Sequence, residues 1–301
     1  MAQARFITAL GTPLTDDDRL HTEGLGRHLD DQAAAGIDSL LVGGTMGMMP
    51  LLTDDTWKNL LQQSIELGRG RFEMLVGATD ISTSRAMDRV AYVNTLRGVD
   101  GVVVMVPGFF EFTGQHYIDY FYALAETSHY PLYLYDVQGL TNVHLSVETI
   151  LKLAEHPNIV GIKMSENIPD LARLKLHLDG APFRLIVAEP TISDMLFRHG
   201  YSEHLDGIYV FAPHWAVSLA AAAQSGDWEE AAAWQAKLTG IKELFLTMPV
   251  HEVFTALMNA RGIAGRFTPR PMTATASMRD KVLAMPIVQQ LLATAPAGML
   301  K

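Results

Sequence analysis

Short apolar runs alternate with longer amphipathic segments along most of the chain. Strands are predicted at the short runs, and helices where apolar residues recur every three to four positions. The predicted strands cover residues 6–10, 39–42, 73–76, 101–106, 131–135, 159–164, 183–187 and 207–211. The predicted helices cover residues 21–35, 54–67, 82–96, 115–127, 146–155, 170–177 and 192–199, and one more follows Pro213. Ser, Thr or Asp opens several of these helices, as N-caps do.

Eight strands that alternate with helices favour the α/β class and a parallel sheet. Eight such units predict a closed (β/α)8 TIM barrel, with an open doubly wound sheet as the alternative. The barrel is predicted to occupy residues 1–225. Residues 226–301 carry further helical patterns, at 228–245, 250–261 and 277–292, and a proline-rich loop at 268–271. They are predicted to form a C-terminal helical extension of the same domain.

Composition narrows the range of partners. The 301 residues are 49% hydrophobic and 19% charged, with a net charge of −10 and no basic stripe, which argues against nucleic acid and anionic membranes as partners. No apolar stretch approaches the roughly 20 residues that span a bilayer, and the N-terminus shows no signal segment. The absence of cysteine excludes disulfides, thiolate nucleophiles and cysteine metal sites. A cytoplasmic protein that acts on small molecules is expected.

Lys163 is the lysine that ends a strand-like apolar run, whereas the other lysines lie in helix-like or terminal stretches with polar neighbours. Burying an ammonium without a partner is costly, which favours the neutral amine. A neutral amine attacks a carbonyl carbon and forms a Schiff base. The alternative is a buried ion pair between Lys163 and Glu166 or Glu189.

Active sites of (β/α)8 barrels lie at the carboxyl ends of the strands, so polar or glycine-rich positions there are candidates. The candidates are Thr12, the loop of Gly44, Thr45, Met46 and Gly47, Tyr135, Lys163, Glu189 and His214. Backbone N–H groups of the glycine-rich loop can hold a carboxylate, although a simple tight turn is the alternative. Tyr135 can transfer a proton to or from a substrate hydroxyl, or it is a packed core aromatic.

Glu189 and His214 have structural interpretations as well. Glu189 could support the first turn of the next helix, and His214 could cap the last barrel helix. The 11 histidines show no His-x-x-x-His spacing, so neither a metal nor a cofactor is expected.

Taken together, these motifs resemble the dihydrodipicolinate synthase and N-acetylneuraminate lyase family of lysine-dependent class I aldolases. The resemblance covers nearly the whole chain and keeps the family's order and spacing. It rests on Ala9-Leu10-Gly11-Thr12-Pro13, Gly44-Thr45-Met46-Gly47, Val106-Pro107, Tyr135-Asp136-Val137 and Gly161-Ile162-Lys163.

The resemblance implies a homotetrameric barrel that condenses a 2-oxo acid with Lys163. The carboxylate of that acid would bind the backbone around Thr45 and Met46, and Tyr135 would shuttle the proton. Gly207 is similar to the glycine of the family's eighth strand, and the carbonyl near Tyr209 would lie beside the lysine. An aldehyde would be the second substrate or product.

Several positions depart from the family's pattern. No cation stands at residues 137–141, where dihydrodipicolinate synthase has an arginine. Phenylalanines at 109 and 110 take the place of the tyrosine that a neighbouring subunit usually contributes, and Met46 and Met48 replace a threonine and a glutamate. The second-substrate pocket is therefore expected to be apolar, and dihydrodipicolinate synthase activity itself is not expected.

Three functions are compatible with these residues. The leading hypothesis is a lyase or aldolase that cleaves or forms a carbon–carbon bond of a 4-hydroxy-2-oxo acid through the Lys163 imine. The second is a dehydratase that uses the same imine to eliminate water from a 2-oxo-3-deoxy acid, with Tyr135 or His214 as the acid. The third is a barrel that binds an oxo acid without turning it over.

Overall fold

The eight strands form a closed parallel barrel in chain order, as observed in a computed structural model that describes residues 3–108, 110, 112–165, 167–272 and 275–295. The strands are β1 Arg5–Ala9, β2 Ser39–Val42, β3 Glu73–Gly77, β4 Gly101–Met105, β5 Leu132–Asp136, β6 Ile159–Ser165, β7 Arg184–Ala188 and β8 Glu203–Asp206. The predicted (β/α)8 barrel is therefore confirmed.

Helices follow the strands as the amphipathic pattern predicts. In chain order they are α1 Thr22–Ala34, α2 Asp54–Gly68, α3 Thr83–Val93, α4 Gly114–Thr127, α5 Gln138–Thr141, α6 Val147–Leu153, α7 Ile168–His177, α8 Ser193–Arg198, α9 Pro213–Ser225, α10 Trp228–Thr247, α11 Val250–Ala260, α12 Ala276–Ala284 and α13 Pro286–Thr294. The short helix α5 was not predicted. The single helix predicted at 277–292 is wrong, because Pro286 separates α12 from α13.

Side-chain caps explain where several helices begin. Ser82 accepts a hydrogen bond from the backbone N–H of Arg85 at the start of α3, and Ser146 accepts one from Thr149 at the start of α6. These bonds satisfy backbone donors that have no partner within the helix. The N-caps predicted from Ser and Thr positions are thus present.

The predicted strand at 207–211 is wrong. The eighth strand is β8, and residues 207–211 form turns directly after it. Residues 208–211 are almost completely buried, and this burial explains their apolar character. An apolar run reports burial, and a buried loop can produce the same signal as a strand.

The contacts of the chain divide it into two compact units. One comprises residues 1–73 and 190–301, and the other comprises residues 74–189. These limits differ from the predicted boundary at residue 225, which stays a prediction.

In the unit of residues 1–73 and 190–301, β1 pairs in parallel with both β2 and β8. An aromatic cluster binds the C-terminal helices to this unit, with the Phe254 ring 4.6 Å from that of Phe211 and 4.7 Å from that of Phe267. A Cβ atom on Gly11 would lie 2.2 Å from the Phe254 ring. Glycine at position 11 therefore allows α11 to pack directly against the segment after β1.

In the unit of residues 74–189, β3 to β7 pair in parallel, each with the next. Helices α3 and α4 pack against each other, as do α4 and α6. No helix in the described ranges combines the length and the apolar character needed to cross a membrane.

Candidate active site

Lys163 lies on β6 and is buried, with 5% of its surface exposed. Side chains alternate along a strand, so Lys163 shares one face of β6 with Gly161, and Ile162 and Met164 occupy the other. Because Ile162 and Met164 are buried, the strand is covered on that face as well. The Lys163 side chain therefore lies in a strand that is buried on both faces.

Tyr135 stands beside Lys163 on the neighbouring strand. The register of β5 and β6 places the two residues opposite each other, and the Lys163 Nζ lies 3.7 Å from the centroid of the Tyr135 ring. Tyr135 is 6% exposed. The Lys163 nitrogen thus lies over the aromatic face of Tyr135, which places a phenol next to the atom that would attack a carbonyl carbon.

The layer below this pair explains why β6 contains a glycine. Tyr133, on the same face of β5 as Tyr135, lies opposite Gly161. A Cβ atom on Gly161 would lie 2.8 Å from the Tyr133 ring and 2.7 Å from the Arg184 carbonyl oxygen. Arg184 Nη1 donates to the Tyr133 hydroxyl at 2.7 Å. Of the two alternating tyrosines, Tyr133 is fixed in the core and Tyr135 is the one in contact with Lys163.

A histidine lies between two carboxylates, one of which belongs to Asp136, the residue after Tyr135. His144 Nδ1 is 2.6 Å from Asp136 Oδ2, and His144 Nε2 is 2.9 Å from Asp170 Oδ2. Asp136 also accepts from the backbone N–H of Leu145 at 3.3 Å. None of these contacts was predicted. Asn167 and Asp170 could be placed at a helix start from their spacing, but no local pattern indicates that Asp170 meets His144.

His144 lines a cavity of about 660 Å³ within the unit of residues 74–189. Aromatic and polar side chains both contribute to its walls. They include Phe110, Phe112, Tyr117, Thr141, Asn142 and Thr149. This cavity therefore offers hydrogen-bonding groups as well as apolar surface.

In the other unit, the glycine-rich loop follows β2 closely. Thr12 Oγ1 donates to the carbonyl of Gly47 at 2.6 Å, which ties this loop to the segment after β1. A Cβ atom on Gly47 would lie 3.0 Å from that hydroxyl and from the Leu10 carbonyl oxygen. Met48 adopts a left-handed conformation with φ of 57°, directly before a short 3-10 helix. The loop thus has a defined, tightly turned backbone.

Met46 lies against Gly207, the residue that follows β8. A Cβ atom on Gly207 would be 2.7 Å from the Met46 sulfur. Tyr209 is completely buried, with its ring 4.3 Å from Phe6 and its hydroxyl 2.9 Å from Ser193 Oγ. The structure therefore brings Met46 and Gly207 together, whereas the Tyr209 side chain contacts Phe6 and Ser193.

Glu189 follows its strand as expected, whereas seven residues separate His214 from the end of β8 at Asp206. Glu189 is half-buried, directly after β7. His214 is the second residue of α9, and its Nε2 lies 3.2 Å from Thr294 Oγ1 of the C-terminal helix. Burial, with the nearby charges of Arg261 and Lys237, lowers the pKa of His214 to about 4. His214 is consequently neutral at physiological pH.

Glu166, one of the two acids considered as a partner of Lys163, and Phe109 lie outside the described residues. Among the residues that are described, no group of three or more His, Asp or Glu side chains is arranged to hold a metal ion.

The sequence profile of the dihydrodipicolinate synthetase family matches residues 2–290. The chain belongs to this family. A 4-hydroxy-tetrahydrodipicolinate synthase from an Exiguobacterium species is 32% identical over 279 residues, 90% of this chain and 94% of the relative. One from Halalkalibacterium halodurans is 28% identical over 292 residues, 95% and 97% of the two chains.

The dihydrodipicolinate synthase of Bacteroides thetaiotaomicron has the same fold. Its structure matches with a TM-score of 0.88 and 26% sequence identity, over 96% of this chain and 99% of the other. Membership in the dihydrodipicolinate synthetase family confirms the resemblance inferred from the motifs. The chain is accordingly an enzyme of the lyase type that forms a Schiff base. The roles of the individual site residues stay predictions.

Proposed function

We propose that this enzyme cleaves or forms a carbon–carbon bond of a 4-hydroxy-2-oxo acid through a Schiff base between Lys163 and a pyruvate-type 2-oxo acid. The observation that carries the proposal is the buried Lys163 amine near the carboxyl end of β6, 3.7 Å from the Tyr135 ring. Family membership supports it, since the motif around Lys163 is the one that resembles the family's Schiff-base lysine.

The proposed cleavage has three steps. The Lys163 amine adds to the C2 carbonyl of the substrate, and loss of water yields an imine. Tyr135 then accepts the proton of the C4 hydroxyl as it passes its own hydroxyl proton to water, while the C3–C4 bond breaks, which releases an aldehyde and leaves an enamine on Lys163. Protonation of the enamine carbon and hydrolysis of the imine release the 2-oxo acid. Synthesis follows the same steps in reverse.

The substrate carboxylate is proposed to bind the backbone N–H groups of the loop at Gly44, Thr45 and Met46. Support comes from the tight turn of this loop and from the Thr12–Gly47 hydrogen bond that holds it. Thr45 is proposed as a further catalytic residue. Thr12, Gly47, Gly207, Tyr209, Glu189 and His214 are proposed as further residues around the substrate.

Dihydrodipicolinate synthase activity itself is not proposed. Residues 137–141 contain no cation that could bind the carboxylate of its aldehyde, and position 140 is an exposed leucine. Met46 and Met48 add no hydrogen-bonding side chains beside the loop. A polyol substrate would lose hydrogen bonds at about 1–3 kcal/mol for each buried unpaired group, so a smaller or partly aromatic 2-oxo acid is favoured.

Borohydride reduction in the presence of pyruvate tests the proposal. The intact mass is expected to rise by one reduced pyruvyl group, and peptide mapping is expected to place the group on Lys163. The adduct should disappear in Lys163→Ala and persist in Lys152→Ala, a lysine whose side chain is 53% exposed. Absence of an adduct in the wild-type enzyme, or its survival in Lys163→Ala, would refute the Schiff base.

Product masses separate the remaining functions. Two fragments from a 4-hydroxy-2-oxo acid support the lyase, and loss of water alone supports the dehydratase. A thermal shift with pyruvate, without adduct or turnover, supports a non-catalytic oxo-acid-binding barrel.

We also propose that the enzyme is a cytoplasmic homotetramer, as the family resemblance implies. Light scattering is expected to give four times the 33.1 kDa chain mass. A mass of one or two chains at working concentration would contradict the tetramer.

A further inference from the structure

The His144 imidazole connects β5, the strand that carries Tyr135, to α7, the helix that follows the strand of Lys163. Asp136 is the last residue of β5 and follows Tyr135 directly, and Asp170 lies in the first turn of α7, the helix after β6. His144 contacts Asp136 through Nδ1 at 2.6 Å and Asp170 through Nε2 at 2.9 Å. The pair of residues that would perform the chemistry is therefore connected through a second path outside the β5–β6 ladder.

The two contacts constrain the protonation state of His144. An imidazolium donates from both nitrogens, whereas a neutral imidazole has one N–H and one lone pair. In the neutral form, one of the two carboxylates would face that lone pair at less than 3 Å. A neutral imidazole can still donate from Nδ1 to Asp136 and accept at Nε2 from Asn167 Nδ2, which lies 2.9 Å away. Donation to Asp136 and to Asp170 at the same time, however, requires a charged His144.

The surroundings of His144 favour that charge. Burial opposes it, but the hydrogen bond with Asp170 and the charge of Asp136 outweigh the burial, and the pKa of His144 is raised above its usual value. The hydrogen bond from His144 correspondingly lowers the pKa of Asp170, with the burial of Asp170 opposing this effect.

Other groups around the imidazole adjust this balance. Asn167 Nδ2 donates to Asp170 Oδ2 at 3.1 Å, and Arg173 Nη1 donates to Asp170 Oδ1 at 3.1 Å. Arg173 is also bound by Glu148 of α6 at 2.9 Å. Asp170 is thus fixed by a network and cannot turn away from His144 without breaking several bonds.

We propose that His144 is a proton-dependent positioning residue, which as an imidazolium clamps Asp136 to Asp170 and thereby holds Tyr135 against Lys163. The catalytic consequence rests on the proposed Schiff-base chemistry, but the clamp itself does not. About a fifth of the side chain of His144 is exposed, and it lines the 660 Å³ cavity, so its proton can exchange with solvent.

Above the raised pKa of His144 the clamp is lost, and Tyr135 is expected to move relative to the amine. A misplacement of about 1 Å in a catalytic group can lower a rate about 100-fold. The turnover number of the wild-type enzyme should therefore fall as the pH rises through this pKa. The contribution of His144 to stability has the same sign, being complete below the unfolded value near 6.5 and lost at higher pH.

Two variants test the clamp, with an exposed histidine as control. His144→Gln cannot bridge two carboxylates, and Asp170→Asn keeps the shape of the cluster but removes one charge. His129→Gln is the matched control, since His129 is exposed on the surface. Selective labelling of Lys and Tyr allows the nuclear Overhauser contact between the Lys163 methylene groups and the Tyr135 ring to be followed against pH.

The expected result is a Lys163–Tyr135 contact that weakens above the titration point of His144 in the wild-type enzyme and is weak at every pH in His144→Gln. In Asp170→Asn the titration point of His144 and the decline in turnover should move together to lower pH. His144→Gln should lower the turnover number about 10-fold or more at low pH and remove that decline, with little change in KM. His129→Gln should leave all of these unchanged.

The outcomes distinguish the two proposals. A contact that persists unchanged in folded His144→Gln and in Asp170→Asn overturns the clamp, whatever the enzyme catalyses. A His144 that titrates at or below 6.5 also overturns it. A normal pH-dependent contact in a wild-type enzyme that gives no pyruvate adduct overturns the Schiff-base function and supports the clamp.

Discussion

Replacing Arg261 alone is expected to destabilise the protein more than replacing Arg261 together with Asp31. Arg261 directly follows α11 as its C-cap, and its guanidinium is completely buried, with Nη2 2.5 Å from Asp31 Oδ1 of α1. Burial raises the pKa of Asp31 despite the charge of Arg261, which shows that desolvation of this pair is costly. Removing one partner leaves the other charge buried and unpaired.

The expected magnitudes follow from the contacts. Arg261→Met should lower the free energy of unfolding by about 3–5 kcal/mol, because Asp31 loses its counter-ion. Gln32 still donates to Asp31 at 3.0 Å, which favours the lower end of that range. The double variant Asp31→Leu with Arg261→Met removes both charges. It still leaves the carbonyl of Phe211 without its 2.6 Å donor, a loss of about 1–3 kcal/mol.

Urea unfolding of the wild-type enzyme, both single variants and the double variant measures these free energies. The double variant should be more stable than Arg261→Met, and the difference should exceed the error of extrapolation. If the losses of the two single variants simply add in the double variant, the reasoning from an unpaired buried charge is wrong.

The remaining predictions concern the core and the candidate site. Gly161→Ala should destabilise the enzyme by about 1–3 kcal/mol, because its Cβ would lie 2.7 Å from a carbonyl oxygen. Burial, together with the charge of Arg261, lowers the pKa of His28 to about 3. Its stabilising contribution, complete above about 6.5, should therefore fall by about 1 kcal/mol per pH unit between pH 6 and 4.5. Tyr135→Phe should keep the pyruvate adduct and lower the turnover number about 10²- to 10⁴-fold.

Each of these has a matched control. Gly26→Ala should stabilise α1 by up to about 1 kcal/mol, since the nearest atom is 4.0 Å away, and equal effects of the two glycine variants in urea unfolding would contradict the packing. In His28→Leu the loss of stability with falling pH should be smaller, and an unchanged slope would show that His28 is not buried neutral. Tyr133→Phe should retain turnover, and full activity of Tyr135→Phe would exclude Tyr135 as the proton shuttle.

Local pattern was sufficient for most of the architecture. The alternation of apolar runs with amphipathic segments predicted seven of the eight strands within two residues at each end, because burial on both faces of a barrel strand leaves a direct trace in composition. The eighth was misplaced, since β8 reads Glu-His-Leu-Asp and the apolar residues 208–211 are a buried turn. In the other seven strands the buried apolar run is the strand itself, whereas here the buried apolar run is the turn that follows the strand.

Candidate site residues could be predicted where the local sequence indicates them. Contacts between residues distant along the chain could not be predicted. Lys163 at a strand end and Tyr135 at another could be identified from their positions, and the register that sets them 3.7 Å apart follows from the pairing of β5 with β6. Contacts between His144 and Asp170, 26 residues apart, depend on how loops fold over the strand ends.

By itself, the sequence determined the barrel and the lysine in it, because periodicity and strand-end position are local properties of the chain. The tertiary structure alone decided which of two alternating tyrosines is fixed by Arg184 and which contacts the amine, and that a histidine stands between two carboxylates. These contacts join side chains from different strands, helices and loops. The distance between such side chains cannot be deduced from their separation in the sequence.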